Sequence, residues 1–124
     1  MVIHNLNKHN IDIYIETDTG TKILVSLKRF HATQFCDVTT VEEYAGFVEY
    51  GDLKVPKVTR KFGTVILPEN LPENGYLLVN SFVLEAAKAN NHPLLERMIA
   101  PDTGSTALRK QNGQVEAVTR FVGA

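Results

Sequence analysis

Tyr76-Leu77-Leu78-Val79-Asn80-Ser81-Phe82-Val83-Leu84-Glu85-Ala86-Ala87-Lys88-Ala89 is the stretch whose reading decides the fold. Residues 76–79 read as a short apolar strand, central in its sheet. Asn80 or Ser81 can then accept from the free amides of a helix start. Val83, Ala86 and Ala87 stand at i, i+3 and i+4, so one side of that helix faces a core. A strand that runs straight into an amphipathic helix makes the chain more than an all-β protein.

Downstream, Asn90-Asn91 ends the helix. Pro93 suits the first position of a second helix, where its missing donor costs nothing. Leu94, Leu95, Met98 and Ile99 would be that helix's apolar side. A Gly-containing loop over residues 100–106 leads to a last hairpin. Asn112-Gly113 favours a two-residue primed turn. That register opposes Lys110 with Val115, Arg109 with Glu116 and Ser105 with Arg120.

Upstream the pattern is β-rich. Ile11-Asp12-Ile13-Tyr14-Ile15-Glu16 alternates, Asp18-Thr19-Gly20 turns, and Lys22-Ile23-Leu24-Val25-Ser26-Leu27 returns. Residues 33–41 form another β-rich run. Segments 47–50 and 54–62 flank Gly51-Asp52 as a hairpin, with Pro56 marking an edge or a strand start. Residues 63–67 give one more short strand, and residues 68–75 a turn. The expected fold is α+β: a mostly antiparallel β-sheet with two short helices in the C-terminal half and a terminal β-hairpin, as a single domain over residues 1–124.

At 124 residues, 44% hydrophobic and 22% charged, the chain can bury one core. No apolar run approaches a membrane span, and residues 1–8 lack a signal-peptide core, so a cytoplasmic protein with no membrane partner is expected. Thirteen Lys+Arg against 14 Asp+Glu give a formal charge of −1. That balance argues against a duplex nucleic-acid binder, whose affinity comes largely from phosphate contacts. The single cysteine, Cys36, reads as a buried structural thiol. The four histidines share no ligand spacing, so no metal is expected. No Ser/His/Asp order has motif support, and the carboxylate pairs read as solvated charge. No cofactor is expected, and nothing argues for an enzyme.

Three features could carry binding chemistry. Arg109 and Arg120 can stack on a base and fork onto phosphate oxygens, although Arg109 opposite Glu116 would equally serve as an ordinary cross-strand ion pair. Phe82 lies at a helix start whose inward stripe is already filled, which leaves its ring at the rim beside free amides. The loop Asp102-Thr103-Gly104-Ser105-Thr106 is either a connector or a cradle rich in hydroxyls and amides. Arg60 and Lys61, with Lys54 and Lys57, form the one local basic cluster. It protects an edge strand or, turned toward a symmetry axis, makes a second anion site.

Several segments together resemble a family of small phage proteins. They are Asn5-Leu6 with His9-Asn10, Lys61-Phe62-Gly63-Thr64-Val65 leading to Leu67-Pro68, and Gly75-Tyr76-Leu77-Leu78-Val79-Asn80-Ser81. Ala100-Pro101-Asp102-Thr103-Gly104, Leu108-Arg109 and Asn112-Gly113-Gln114-Val115 continue the likeness. The chain looks like the anti-Thoeris sponge proteins of the first type (thoeris anti-defence one). The resemblance implies a non-enzymatic phage protein in the infected bacterial cytoplasm. It would sequester the cyclic ADP-ribose isomers made by TIR-domain enzymes, in pockets at a subunit interface of a homo-oligomer, a dimer or an assembly of dimers. By position, the resemblance carries ligand binding onto Phe82, Asn91, Arg109 and Arg120. A second site for cyclic oligonucleotides would draw on Arg60 or Lys61, Lys88 and Thr103. The competing readings are a nucleotide-processing phosphodiesterase and a phage structural protein that binds no nucleotide.

Overall fold

The computed structural model describes residues 2–124. Strands β1 (Ile3–Asn5), β2 (Ile11–Glu16), β3 (Lys22–Leu27), β4 (Asp37–Tyr50), β5 (Leu53–Ile66) and β6 (Tyr76–Leu78) precede helix α1 (Ser81–Ala89). Strands β7 (Met98–Pro101), β8 (Leu108–Arg109), β9 (Val115–Ala117) and β10 (Phe121–Gly123) follow it. The fold is α+β and rich in strand, as the sequence implies.

The core sheet has the order β1-β6-β7-β10. β6 lies inside it, parallel to both β1 and β7, while β10 closes the far edge antiparallel to β7. Leu77 and Leu78 are both fully buried, so both faces of β6 are covered. This explains an unbroken apolar run where a half-exposed strand would alternate. α1 is the crossover between parallel β6 and β7, and lies against β7 and the base of β4 and β5. Val83, Ala86 and Ala87 are fully buried, as their spacing requires. Leu6, Cys36, Leu77, Val79, Leu84, Met98 and Ala100 complete the core around them.

Three expectations are corrected. The second helix is a single 3-10 turn, Leu95–Arg97, followed at once by β7. Met98 and Ala100 point inward while Ile99 and Pro101 are half-buried, so the segment has the strand period of two. Arg97 also donates through Nε to Gly75 O (3.0 Å) and through Nη2 to Pro72 O (2.7 Å), which fixes this turn to the loop before β6. The terminal hairpin forms, but with a different register. Gly113 N donates to Lys110 O and Lys110 N to Gln114 O, so the loop has three residues, with Gly113 alone at positive φ (86°). Arg109 therefore opposes Val115, not Glu116. Finally, the hairpin does not run on to pair Ser105 with Arg120: its second strand ends at Ala117. The Val118 amide donates to Asp12 O in β2 (2.9 Å), and the chain then joins the core sheet as β10.

The fourteen-residue strands β4 and β5 form one continuous ribbon around Gly51-Asp52, which absorbs the strand expected at residues 63–67. At about 3.3 Å per residue it is roughly 45 Å long. Only its base meets α1.

Candidate functional site

A cleft of about 310 Å³ opens at the N-terminal end of α1. Its lining includes Lys8, His9, Phe35, Asn80, Ser81 and Thr103. The loop that carries Lys8 and His9 is built by a buried asparagine. Asn5 Nδ2 donates to His9 O (2.9 Å) and Leu27 O (2.8 Å), and Asn5 Oδ1 accepts from Asn7 N (3.0 Å) and Asn7 Nδ2 (3.1 Å). All its bonding capacity is used, which is what makes its 2% exposure tolerable. Lys8 Nζ sits 5.9 Å from the centre of the Phe35 ring, within cation–π range. Cys36 also lines the cleft; burial raises its thiol pKa, so the group stays protonated and inert at neutral pH.

The helix start supplies donors. Asn80 Oδ1 accepts from Val83 N (2.9 Å) and Asn80 O from Leu84 N (3.1 Å). The Ser81 and Phe82 amides remain as first-turn donors, and no acid occupies the first turn to compete for them. Phe82 is 66% exposed, so its ring is at the surface as the helix pattern demands.

The two arginines are not opposed across the hairpin, as the sequence register implies, but they bond adjacent residues of one loop. Both grip the loop after β7. Arg109 Nη2 donates to Thr103 O and Nη1 to Gly113 O (2.9 Å), fastening that loop to the hairpin turn. Arg120 Nε donates to Asp102 Oδ2 (2.6 Å), while Asp102 N donates to Arg120 O (3.1 Å). The Arg120 guanidinium, then the Gly104 amide, hold the Asp102 carboxyl below the usual carboxylate range. Adjacent residues, Asp102 and Thr103, thus anchor two guanidinium groups, and Thr103 lines the cleft.

Asn91 is not part of this assembly. It lies past the far end of α1 from Phe82, roughly 13 Å along the axis at about 1.5 Å per residue. Its φ is +50°, with Asn91 N donating to Lys88 O (3.3 Å) and His92 N to Ala87 O (2.9 Å). This is the Schellman helix stop, a backbone role that asparagine tolerates.

The residues expected at a second anion site do not converge within one chain. Arg60 pairs with Glu42 (2.8 Å) and Lys61 with Glu43 (3.3 Å), on opposite faces of the ribbon. Lys88 pairs with Glu85 (3.4 Å) on α1, and Thr103 is at the cleft.

Sequence reasoning missed Lys8, His9 and Phe35 as neighbours of the helix start. The one signal was a polar tetrad, Asn7-Lys8-His9-Asn10, between two strands. Among the described residues no group of three or more His, Cys, Asp or Glu is placed to hold a metal ion. Among them, too, no helix is long and apolar enough to cross a membrane. Comparisons with protein-family models, curated proteins and solved structures return no match.

Proposed function

We propose that the protein is a binding module that sequesters a small cyclic nucleotide, of the cyclic ADP-ribose isomer class made by bacterial TIR-domain enzymes, and releases it unchanged. In this reading it is a phage anti-defence sponge acting in the host cytoplasm. One observation carries the reading: an exposed phenylalanine and two free helix amides stand beside a cleft whose wall loop is gripped by two arginines. The ring offers a stacking surface for a purine, and the amides offer donors to anionic oxygens. A cleft of about 310 Å³ is at the low end of small-molecule sites, so a guest of this size would spread over its rim toward Phe82. Arg109 already spends two donors on backbone carbonyls, and so serves the site first by shaping the Thr103 loop. Arg120 spends only Nε, on Asp102, and is the arginine better placed to meet phosphate.

The test is to mix the protein with products of an activated TIR enzyme, isolate the complex and heat-denature it. Mass spectrometry should return an intact cyclic nucleotide. A hydrolysed product would replace the sponge by a phosphodiesterase, and absence of any bound nucleotide would leave the structural-protein reading. Phe82→Ala should cut affinity at least tenfold, about 1.4 kcal/mol or more, with an unchanged melting curve for the free protein.

A further inference from the structure

We propose that the segments along the outer edge of β1 form a binding face for linear, single-stranded nucleic acid. Lys8, Lys28 and Arg29 would meet its phosphates, and Phe30 and Phe35 would stack its bases. The proposal does not rest on what the cleft binds.

Charge is unevenly divided along the chain. Residues 2–11 and 19–36 contain no Asp or Glu, and all 14 acids lie in the rest of the sequence. The fold packs these two acid-free segments side by side. Asn5 bridges Arg29, and Asn5 O accepts from Phe30 N (2.8 Å). The next carbonyl, Leu6 O, accepts from Cys36 N (2.7 Å). Arg29 N donates to Asn10 Oδ1 (3.1 Å). The loop over residues 30–36 is thus fixed at both ends to consecutive residues, and the bases at positions 8, 28 and 29 are gathered around it.

These bases are exposed and have no acid partner. Among the described residues the ion pairs are those of Arg60, Lys61, Lys88 and Arg120. Asp12 and Asp37 border the two segments, but Asp12 opposes Ser26, and Asp37 Oδ1 accepts from Val38 N (2.8 Å). Lys22 is opposed by Glu16 across β2 and β3, and so adds little. The basic run of the ribbon is matched in the same way. Arg60 and Lys61 are ion-paired, and Lys54 opposes Glu49. Unmatched positive charge is what attracts a phosphate backbone, because binding then releases counterions.

The aromatic rings choose between polyanions. Phe30 is 37% exposed and Phe35 41%. Phe35 stands between two grooves: it lines the cleft at α1 and also a groove of about 390 Å³ shared with Thr33, Gln34 and Pro68. Lys8 Nζ already lies over its ring, so a base stacked there would carry its phosphate close to an ammonium group. Rings this far sunk cannot insert among acyl chains, whereas a base needs only one open face. Duplex bases are stacked on each other and cannot reach the rings, so the face suits single strands. Lys28, Arg29 and Phe30 do not line the cleft, which separates the two sites experimentally.

Fluorescence anisotropy with a labelled oligothymidylate of about twelve nucleotides tests this. The full-length wild type should bind it at low salt. With three phosphate contacts, log K should fall against log salt with a slope of about −2. Lys28→Glu should weaken binding at least tenfold and flatten that slope. Phe30→Ala and Phe35→Ala should each weaken it at least fivefold with the slope unchanged, since stacking releases no counterions. All three should keep the wild-type far-UV spectrum, and Lys28→Glu alone decides the matter if a phenylalanine variant misfolds. Absence of binding at low salt would overturn the proposal. So would binding that ignores Lys28→Glu and is lost in Lys57→Glu, which would move the site to the ribbon. Equal affinity for a duplex of the same length would remove the role of the rings, and binding to phosphatidylserine vesicles but not to the oligonucleotide would make the face a membrane contact.

Discussion

The core sheet with α1 and the β4–β5 ribbon are built from similar residues and are held by different forces. In the body, Leu77, Leu78, Val79, Val83 and Ala86 are wholly removed from water, and the buried Asn5 has every bond satisfied. In the ribbon, Tyr44, Phe47, Val48, Tyr50, Leu53 and Val55 stay exposed, although a backbone ladder broken only by two bulges joins its strands. The contrast teaches that a long strand pair is no measure of stability. Backbone hydrogen bonds give direction and register, whereas removal of apolar surface from water supplies most of the free energy. One region is a finished core; the other leaves its apolar side chains in water.

The contrast is easiest to break in the body. Leu77→Ala should destabilise by about 2–5 kcal/mol in urea unfolding, from lost burial and the cavity left behind. A loss under about 1 kcal/mol would mean the sheet centre is looser than its burial indicates. Asn5→Ala should cost about 1–3 kcal/mol, since it strands the carbonyls of His9 and Leu27 without a donor. It should also speed amide exchange at residues 7–9, whereas an effect on stability alone would uncouple Asn5 from the cleft. Asn91→Ala should cost about 1 kcal/mol through its left-handed backbone, and a neutral result would show the helix stop to be adaptable. In the ribbon, Tyr44→Ala should shift the same unfolding curve by no more than about 0.5 kcal/mol. A larger loss would mean the ribbon is part of the cooperative unit.

The smallest effect concerns pH. The Asp102 carboxyl is depressed in the folded state, first by Arg120. Its contribution is therefore present above the unfolded value of about 3.9 and fades as the pH falls through the lower folded value. Arg120→Ala should raise the Asp102 pKa in an NMR titration; an unchanged value would assign the shift to the Gly104 amide.

Local pattern made the strand–helix passage at residues 76–89, the β2–β3 hairpin and the Gly51-Asp52 turn legible, since each depends on near neighbours alone. The 3-10 turn at Leu95–Arg97 was hidden because Leu94, Leu95, Met98 and Ile99 fit a helical stripe as well as they fit a strand entry. What overrode that stripe was pairing with β6 and the reach of Arg97 to carbonyls more than twenty residues away. At the site, the surface position of Phe82 followed from the helix pattern. The attachment of Arg109 and Arg120 to adjacent residues, Thr103 and Asp102, did not follow from hairpin register; it depends on the path of the loop after β7. Lys8 and Phe35 reach the cleft only through the packing of distant segments.

Sequence alone determined the secondary elements whose hydrogen bonds and apolar spacing close within a few residues, the aromatic at the helix rim, and the near-neutral charge. Tertiary structure decided the parallel neighbours of β6, the mixed sheet, the break between β9 and β10 and the membership of the cleft. These depend on contacts between residues far apart in the chain, and the free energy of such a contact includes a loop-closure entropy and a burial that no local window contains.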